Sequence, residues 1–362
     1  MKKILTIVGA RPQFIKASAI SRAIRDRFST DFQEIIVHTG QHYDANMSQV
    51  FFEQLDIDEP KYNLNVSGLN HGAMTGRMME ALEELMISEK PDLVLVYGDT
   101  NSTLAGAVTA AKLHIPIAHV EAGLRSFNRK MPEEINRILT DTVSSFLFCP
   151  TDVSVQNLKN EGICHQVFNV GDVMYDVALY FAEKAKLESH ILNDLGLSER
   201  QYILVTCHRE ENTNSLERLT SILQALAELS KSKTIIFPIH PRTLKYIQQN
   251  DLSSYLENVH VIEPLPYMDL IALQQSAESI LTDSGGIQKE AFFYQVPCIT
   301  MRDETEWVET IDLGWNQLVG ANANKIIQAV MNIKMGKLEV YPYGHGKASE
   351  MIINILKKGI QQ

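Results

Sequence analysis

Short apolar runs alternate with amphipathic stretches through this chain, and they do so in two series. Residues 4–8, 34–38, 92–97, 115–120, 146–149 and 166–170 form the first; residues 201–206, 234–238, 259–262, 279–282 and 297–300 form the second. Runs such as DLVLVY at 92–97 lack the polar alternation of a half-exposed strand, so both faces must be covered. A strand–helix alternation of that kind builds a parallel sheet with helices on its faces. The pattern predicts an α/β chain of two Rossmann-like domains, residues 1–172 and 173–346, with strand ends facing each other across a cleft. The last amphipathic helix, within 347–360, is expected to pack back on the first domain.

Composition narrows the function classes. A chain of 362 residues has room for two ordinary domains, and 45% hydrophobic with 21% charged residues is a soluble globular balance. A net charge of -11 argues against a polyanion-binding surface, so no nucleic-acid partner is expected. Cys149, Cys164, Cys207 and Cys298 lack CxxC spacing, which points to reduced thiols and a cytoplasmic protein. The N-terminal apolar run is too short for a signal peptide, and no stretch approaches the length of a membrane span.

The turns after the strands carry the candidate chemistry. At 281–290, LTDSGGIQKE leaves a strand, turns through Asp283-Ser284-Gly285-Gly286 and enters a helix. Glycines at a helix start offer backbone N–H groups to an anion, and Ser284 adds a hydroxyl. Glu290 follows about one and a half turns on. Together they describe a nucleotide-sugar pocket; the ordinary alternative is a serine N-cap and a solvated glutamate. Arg11 and Lys16 project from the first strand–helix turn, where the dinucleotide glycine pattern is absent. Asp99 stands at a strand end, as functional acid or as N-cap, and Glu121 stands at the next strand end. Pro132-Glu133-Glu134 is ordinary helix-start chemistry, which accounts for Glu134 well and for Glu133 in part. His208 and Arg209 suit a diphosphate or a proton transfer, and His240-Pro241-Arg242 repeats the arrangement one strand later. No metal-ligand cluster and no nicotinamide fingerprint is present, so no cofactor is expected.

In register, GARPQFIK at 9–16, GDTNST at 98–103, HVEAGLRS at 119–126, PEEINR at 132–137, CHREEN at 207–212 and LTDSGGIQKE at 281–290 resemble the non-hydrolysing UDP-N-acetylglucosamine 2-epimerase family. The resemblance spans essentially the whole chain. It implies a fold similar to the B-type two-domain glycosyltransferases, and a homodimer. It implies UDP on the second domain, with diphosphate at Ser284, Gly285 and Gly286, ribose hydroxyls at Glu290 and uracil near Tyr267. Asp99, Glu121, Glu133 and His208 match catalytic positions, and Arg11 and Lys16 match binding positions; Arg209 and His240 are expected to bind substrate from their strand-end places alone. The reaction implied removes the C2 proton, expels UDP from C1 to leave a glycal, and re-adds UDP after protonation on the opposite face.

The chain departs from the family twice. Many members carry Gln-His-Arg near a second, allosteric UDP-sugar site, where this chain has Gln41-His42-Tyr43-Asp44; Arg77 matches a further residue of that site. Members acting on UDP-N-acetylglucosamine usually have Arg where Trp307 stands. RSFNRKMPEEINR and TEW resemble a subgroup acting on UDP-2,3-diacetamido-2,3-dideoxyglucuronate in surface-polysaccharide synthesis, such as that of the lipopolysaccharide O-antigen. Arg129 and Lys130, beside Arg125, suit a substrate carboxylate, and an indole suits an extra acyl group. That uronate is the expected substrate, ahead of UDP-N-acetylglucosamine. The competing class is a glycosyltransferase of the same architecture, which three carboxylates in the first half disfavour.

Overall fold

The computed structural model of the protein describes residues 1–41, 52–53, 55–337 and 339–360. The chain divides into one unit of Met1–Val177 with Tyr341–Gln362 and a second of Ala178–Val340. The first division falls at Val177 rather than 172, inside the helix Val173–Glu188, and the chain returns at Tyr341. A continuous helix gives no sequence signal for a boundary within it.

The first unit holds a seven-stranded parallel sheet in the order β3-β2-β1-β4-β5-β6-β7. Its strands are β1 (Lys2–Val8), β2 (Phe32–His38), β3 (Tyr62–Asn63), β4 (Leu93–Tyr97), β5 (Ile117–Val120), β6 (Phe146–Cys149) and β7 (Val167–Asn169). β4 is buried throughout, as an unbroken apolar run requires in a sheet covered on both faces. Met78, Leu82 and Met86 of the helix His71–Glu89 join Leu5, Ile7, Val94 and Val96 in one core, with Met74 and Leu85 partly buried against it. The sequence also predicts a helix around residues 47–55, most of which lie outside the described residues.

The second unit repeats the plan with six parallel strands in the order β10-β9-β8-β11-β12-β13. These are β8 (Tyr202–Thr206), β9 (Thr234–Pro238), β10 (His260–Ile262), β11 (Ser279–Thr282), β12 (Cys298–Thr300) and β13 (Asn316–Leu318). In each sheet the chain leaves the first-formed strand toward one edge, then returns to build toward the other. The reversal lies between β1 and β4 in one unit and between β8 and β11 in the other. Ligands of such sheets bind at the carboxyl ends of strands at that reversal.

The helix Ala348–Gly359 packs on the helix Arg11–Arg27. Its opening turn is capped from a distance: the Asp176 carboxylate accepts from the Ala348 and Ser349 N–H groups at 3.0 and 2.8 Å and from the Ser349 hydroxyl at 2.6 Å. Among the described residues no helix is long and apolar enough to cross a membrane.

Candidate active site

In the first unit charged groups gather at the reversal point. Lys16, on the helix after β1, pairs with the Glu121 carboxylate at the end of β5. Burial pulls the Lys16 ammonium down, but Glu121 outweighs it with help from Asp99 and Asp172, and the pKa rises above its ordinary value. Glu121 adopts φ +69, a left-handed conformation that a non-glycine residue holds only under constraint. Gly98 lies against the pair: a Cβ there would stand 3.4 Å from Glu121 Oε2 and 3.8 Å from Lys16 Nζ, at a left-handed φ of +63.

Asp99 is not the N-cap of the following helix. Thr100 takes that place, accepting from Thr103 N–H at 3.3 Å. Arg137 Nη2 donates to Asp99 Oδ2 at 2.5 Å, and Asn136 donates to the Asp99 carbonyl at 2.9 Å. The Asp99 side chain is 31% exposed and open to a ligand, whereas that of Glu121 is 5% exposed. Glu133 is half-buried in the first turn of the helix Pro132–Val143. Its neighbour Glu134 does more than begin that helix. It is fully buried, accepts from the Ser126 and Phe127 N–H groups at 2.9 Å each, and binds Arg137 at 2.9 Å.

A polar scaffold beneath these groups escaped the sequence reading. Gln13 Oε1 accepts from the Gly9 and Ala10 N–H groups, while its Nε2 donates to the Tyr97 carbonyl at 2.7 Å, tying the β1 turn to the end of β4. His119 bridges the Asp141 carboxylate at 2.7 Å and the Gly98 carbonyl at 2.8 Å. Arg125, placed by sequence beside Arg129 and Lys130, is instead committed to Asp141 at 2.7 Å and Glu161 at 2.6 Å, its side chain 1% exposed. It is therefore unavailable to a substrate. Arg129 and Lys130 are exposed. Gln41 accepts from Ser102, and Arg77 is an exposed partner of Glu80; residues 42–44 lie outside the described residues.

In the second unit, Asp283 is fully buried and accepts from the His208 and Arg209 N–H groups and from Asn212, which holds the β8 turn to the end of β11. His208 and Arg209 are exposed there. Partial burial of its ring, only partly offset by Asp283 and reinforced by His240, holds the His208 pKa below its ordinary value. His240 Nδ1 accepts from the Arg242 N–H at 3.2 Å and so caps the helix Pro241–Gln249.

Ser284 caps the helix Gly285–Phe293, accepting from Ile287 N–H at 3.4 Å, so the serine-cap reading holds and the hydroxyl hydrogen can still point outward. Neither Gly285 nor Gly286 has a positive φ. A Cβ at 285 would meet the tip of the Glu306 side chain, which is half-exposed and can swing aside, and would lie 3.5 Å, an ordinary contact, from Trp307 Nε1. Glu290 is half-buried rather than solvated. Burial pushes its carboxyl up to about 7, against the Gln274 carboxamide and Lys289. The enclosed Tyr294 hydroxyl stands beside Glu290 and Tyr267 and closes no hydrogen bond among the described residues. The Tyr267 ring packs edge-on against Phe181 at 5.5 Å.

Two parallel sheets whose reversal points carry acids on one unit and a glycine-rich helix start on the other suit an enzyme acting on a nucleotide sugar. Residues 25–357 match the family model for UDP-N-acetylglucosamine 2-epimerase. A Pseudomonas aeruginosa protein named UDP-2,3-diacetamido-2,3-dideoxy-D-glucuronate 2-epimerase is 54% identical over 364 residues, covering 98% of this chain and 99% of its own. A Methanococcus maripaludis UDP-N-acetylglucosamine 2-epimerase homolog is 52% identical over 363 residues, with 98% and 99% covered. The crystal structure of Methanocaldococcus jannaschii UDP-GlcNAc 2-epimerase, in complex with UDP-GlcNAc and UDP, is 45% identical, with a TM-score of 0.81 and 99% of both chains covered. The chain belongs to the UDP-N-acetylglucosamine 2-epimerase family and is an isomerase, a UDP-sugar 2-epimerase.

Proposed function

We propose that the preferred substrate is UDP-2,3-diacetamido-2,3-dideoxyglucuronate, converted to its manno epimer for surface-polysaccharide synthesis. The observation that carries this reading is Trp307, whose indole borders the Gly285 turn, in a chain 54% identical to the Pseudomonas aeruginosa enzyme of that name. Exposed Arg129 and Lys130 add positive charge near the Glu133 helix for a uronate carboxylate. Side-by-side kinetics on the uronate and on UDP-N-acetylglucosamine test it. A charge-assisted contact supplies about 1.5–3 kcal/mol, so roughly tenfold or more preference for the uronate is expected, reduced in Arg129→Ala and Lys130→Ala. Preference for UDP-N-acetylglucosamine, indifferent to both changes, contradicts it.

In this reading the second unit holds the nucleotide. The N–H groups of Gly285 and Gly286 and the Ser284 hydroxyl meet the diphosphate, with Arg209 and His240 adding donors and Glu290 accepting ribose hydroxyls. Asp99, Glu121 and Glu133 supply proton transfer at C2, with Arg137 orienting Asp99 and Lys16 orienting Glu121. One carboxylate takes the C2 proton as the C1–O bond to UDP breaks, leaving a glycal. A proton then returns to C2 on the other face, and UDP oxygen re-forms the bond at C1. Arg11 and His208 steady the negative charge gathering on the departing diphosphate.

Glu290 makes binding pH-dependent. Its raised pKa means that the carboxylate accepting ribose hydroxyls is lost as pH falls through about 7. UDP-sugar affinity is therefore expected to fall below that pH and level off above it. In the free protein the linkage runs the other way, because the ionised group is penalised progressively as pH rises from its unfolded value toward about 7. Calorimetry with a UDP-sugar, whose diphosphate diester does not titrate near neutrality, checks this. Glu290→Gln should flatten the profile.

A further inference from the structure

Three consecutive residues of the helix Gly285–Phe293 grip or face different neighbours. Gln288, fully buried, accepts from Thr305 Oγ at 2.6 Å and from Asn316 at 3.1 Å, and the same Thr305 hydroxyl accepts from Trp307 N–H at 3.2 Å. The 305–307 loop is thus pinned to the helix that opens with Gly285 through the Thr305 hydroxyl, which in turn holds the Trp307 N–H. Lys289 comes next. It is only 4% exposed, and its ammonium stands 4.2 Å from the centroid of the Trp307 ring. A lysine is rarely buried, because its charge is costly to desolvate, and the face of an indole is among the few apolar surfaces that repay it. The pinned backbone sets where Trp307 begins; the cation over its face sets which way the ring lies. With the face turned to Lys289, the N–H edge lies 3.5 Å from the site a Gly285 Cβ would take.

We propose that Lys289 is a positioning residue for substrate choice: it orients the Trp307 indole as a wall beside the diphosphate turn, where the sugar leaves the phosphate. This rests on the nucleotide-sugar reading of that turn. The ammonium acts through the ring and not on the sugar. Lys289 also stands near Glu290 and opposes its protonation, which offers a second route by which its charge could act. The two routes differ in what they change. Acting through Glu290, Lys289 alters the affinity for UDP and for UDP-sugar alike. Acting through Trp307, it alters only the contribution of the sugar.

The test uses the full chain with Lys289→Met, Lys289→Arg, Trp307→Phe and the double variant of Lys289→Met with Trp307→Phe. Calorimetry compares UDP with UDP-N-acetylglucosamine and with the diacetamido-uronate nucleotide. The chain has two tryptophans, and Trp315 is 3% exposed with its Nε1 held by the Lys337 carbonyl at 2.9 Å. Subtracting the spectrum of Trp307→Phe therefore isolates Trp307 fluorescence. In Lys289→Met, affinity for the better UDP-sugar is expected to fall about tenfold while affinity for UDP stays within about twofold. Trp307 emission should shift to the red and become more open to acrylamide. Lys289→Arg should restore both, since a guanidinium also stacks on indole, and Lys289→Met should add little in the Trp307→Phe background. Equal losses for UDP and UDP-sugar, or an additive effect in the double variant, would overturn the proposal. Should Lys289→Met not fold, Lys289→Arg and Trp307→Phe still decide: unchanged discrimination between UDP and UDP-sugar in Trp307→Phe also overturns it. A wild-type preference for UDP-N-acetylglucosamine refutes the uronate reading and leaves this comparison intact.

Discussion

Glu121→Gln is expected to lower epimerase turnover by about two orders of magnitude or more, because it replaces a proton-accepting carboxylate with an amide of the same shape. Asp99→Asn and Glu133→Gln should fall by a similar factor. The three differ in what else they disturb. Glu121 holds a left-handed backbone and is the ion-pair partner of Lys16, so its amide leaves a poorly exposed ammonium with only the weaker pull of Asp99 and Asp172. A drop in melting temperature should accompany the loss of turnover there. Asp99 is more open, and Arg137 keeps Glu134 as a partner when Asp99 is neutralised, so Asp99→Asn should lose activity with little loss of stability. Glu133 is half-buried in a first helical turn, and its amide should cost only a few tenths of a kcal/mol through the helix dipole. Steady-state kinetics with melting curves on the same preparations separate the effects. Turnover near wild type in all three variants would remove the assignment of proton chemistry to these acids.

Gly285→Val is expected to weaken UDP binding by about a hundredfold or more, since displacing charge-assisted N–H contacts costs roughly 1.5–3 kcal/mol each. The added branches would also displace the Glu306 carboxylate and crowd the edge of Trp307. Gly286 is the informative control. A Cβ there meets nothing nearer than Ser284 Oγ at 3.9 Å, so Gly286→Ala should fold normally and test N–H approach with less steric disturbance. Undiminished UDP affinity in Gly285→Val, by calorimetry, would mean that the turn is not the phosphate site.

Much of the architecture was legible because a parallel sheet covered on both faces demands largely apolar runs, as in β4 (LVLVY) and β8 (YILVT). β3 and β13 were not legible. They are edge strands of two and three residues, with Asn63 in one and Asn316 and Gln317 in the other, and edge pairing needs little apolar content. The candidate acids were legible as residues at strand ends. Their supports were not, because the partners are distant in sequence: Arg137 lies 38 positions from Asp99, and Asp283 lies 75 from His208. No spacing rule links such residues. Glu134 shows the converse error. Its place beside Pro132 explained it so well as helix-start chemistry that its capture of the Ser126 and Phe127 backbone went unsuspected. Arg125 looked like a free loop cation for the same reason, since nothing in its neighbourhood names Asp141 and Glu161 as partners. The glycines at 285 and 286 offer bare N–H groups in sequence; that Glu306 and the Trp307 edge lie beside Gly285 is visible only in the fold.

Incorporation of solvent deuterium tests the central claim most directly. The purified protein is incubated with the UDP-sugar in D2O, without acceptor, added metal or NAD, and C2 is followed by NMR. Deuterium should appear at C2 in both epimers with UDP still attached at C1, because the proton removed exchanges with solvent before the opposite face is protonated. Free sugar released into solution, sugar transfer that depends on an added acceptor, or epimers that keep protium at C2 would contradict it.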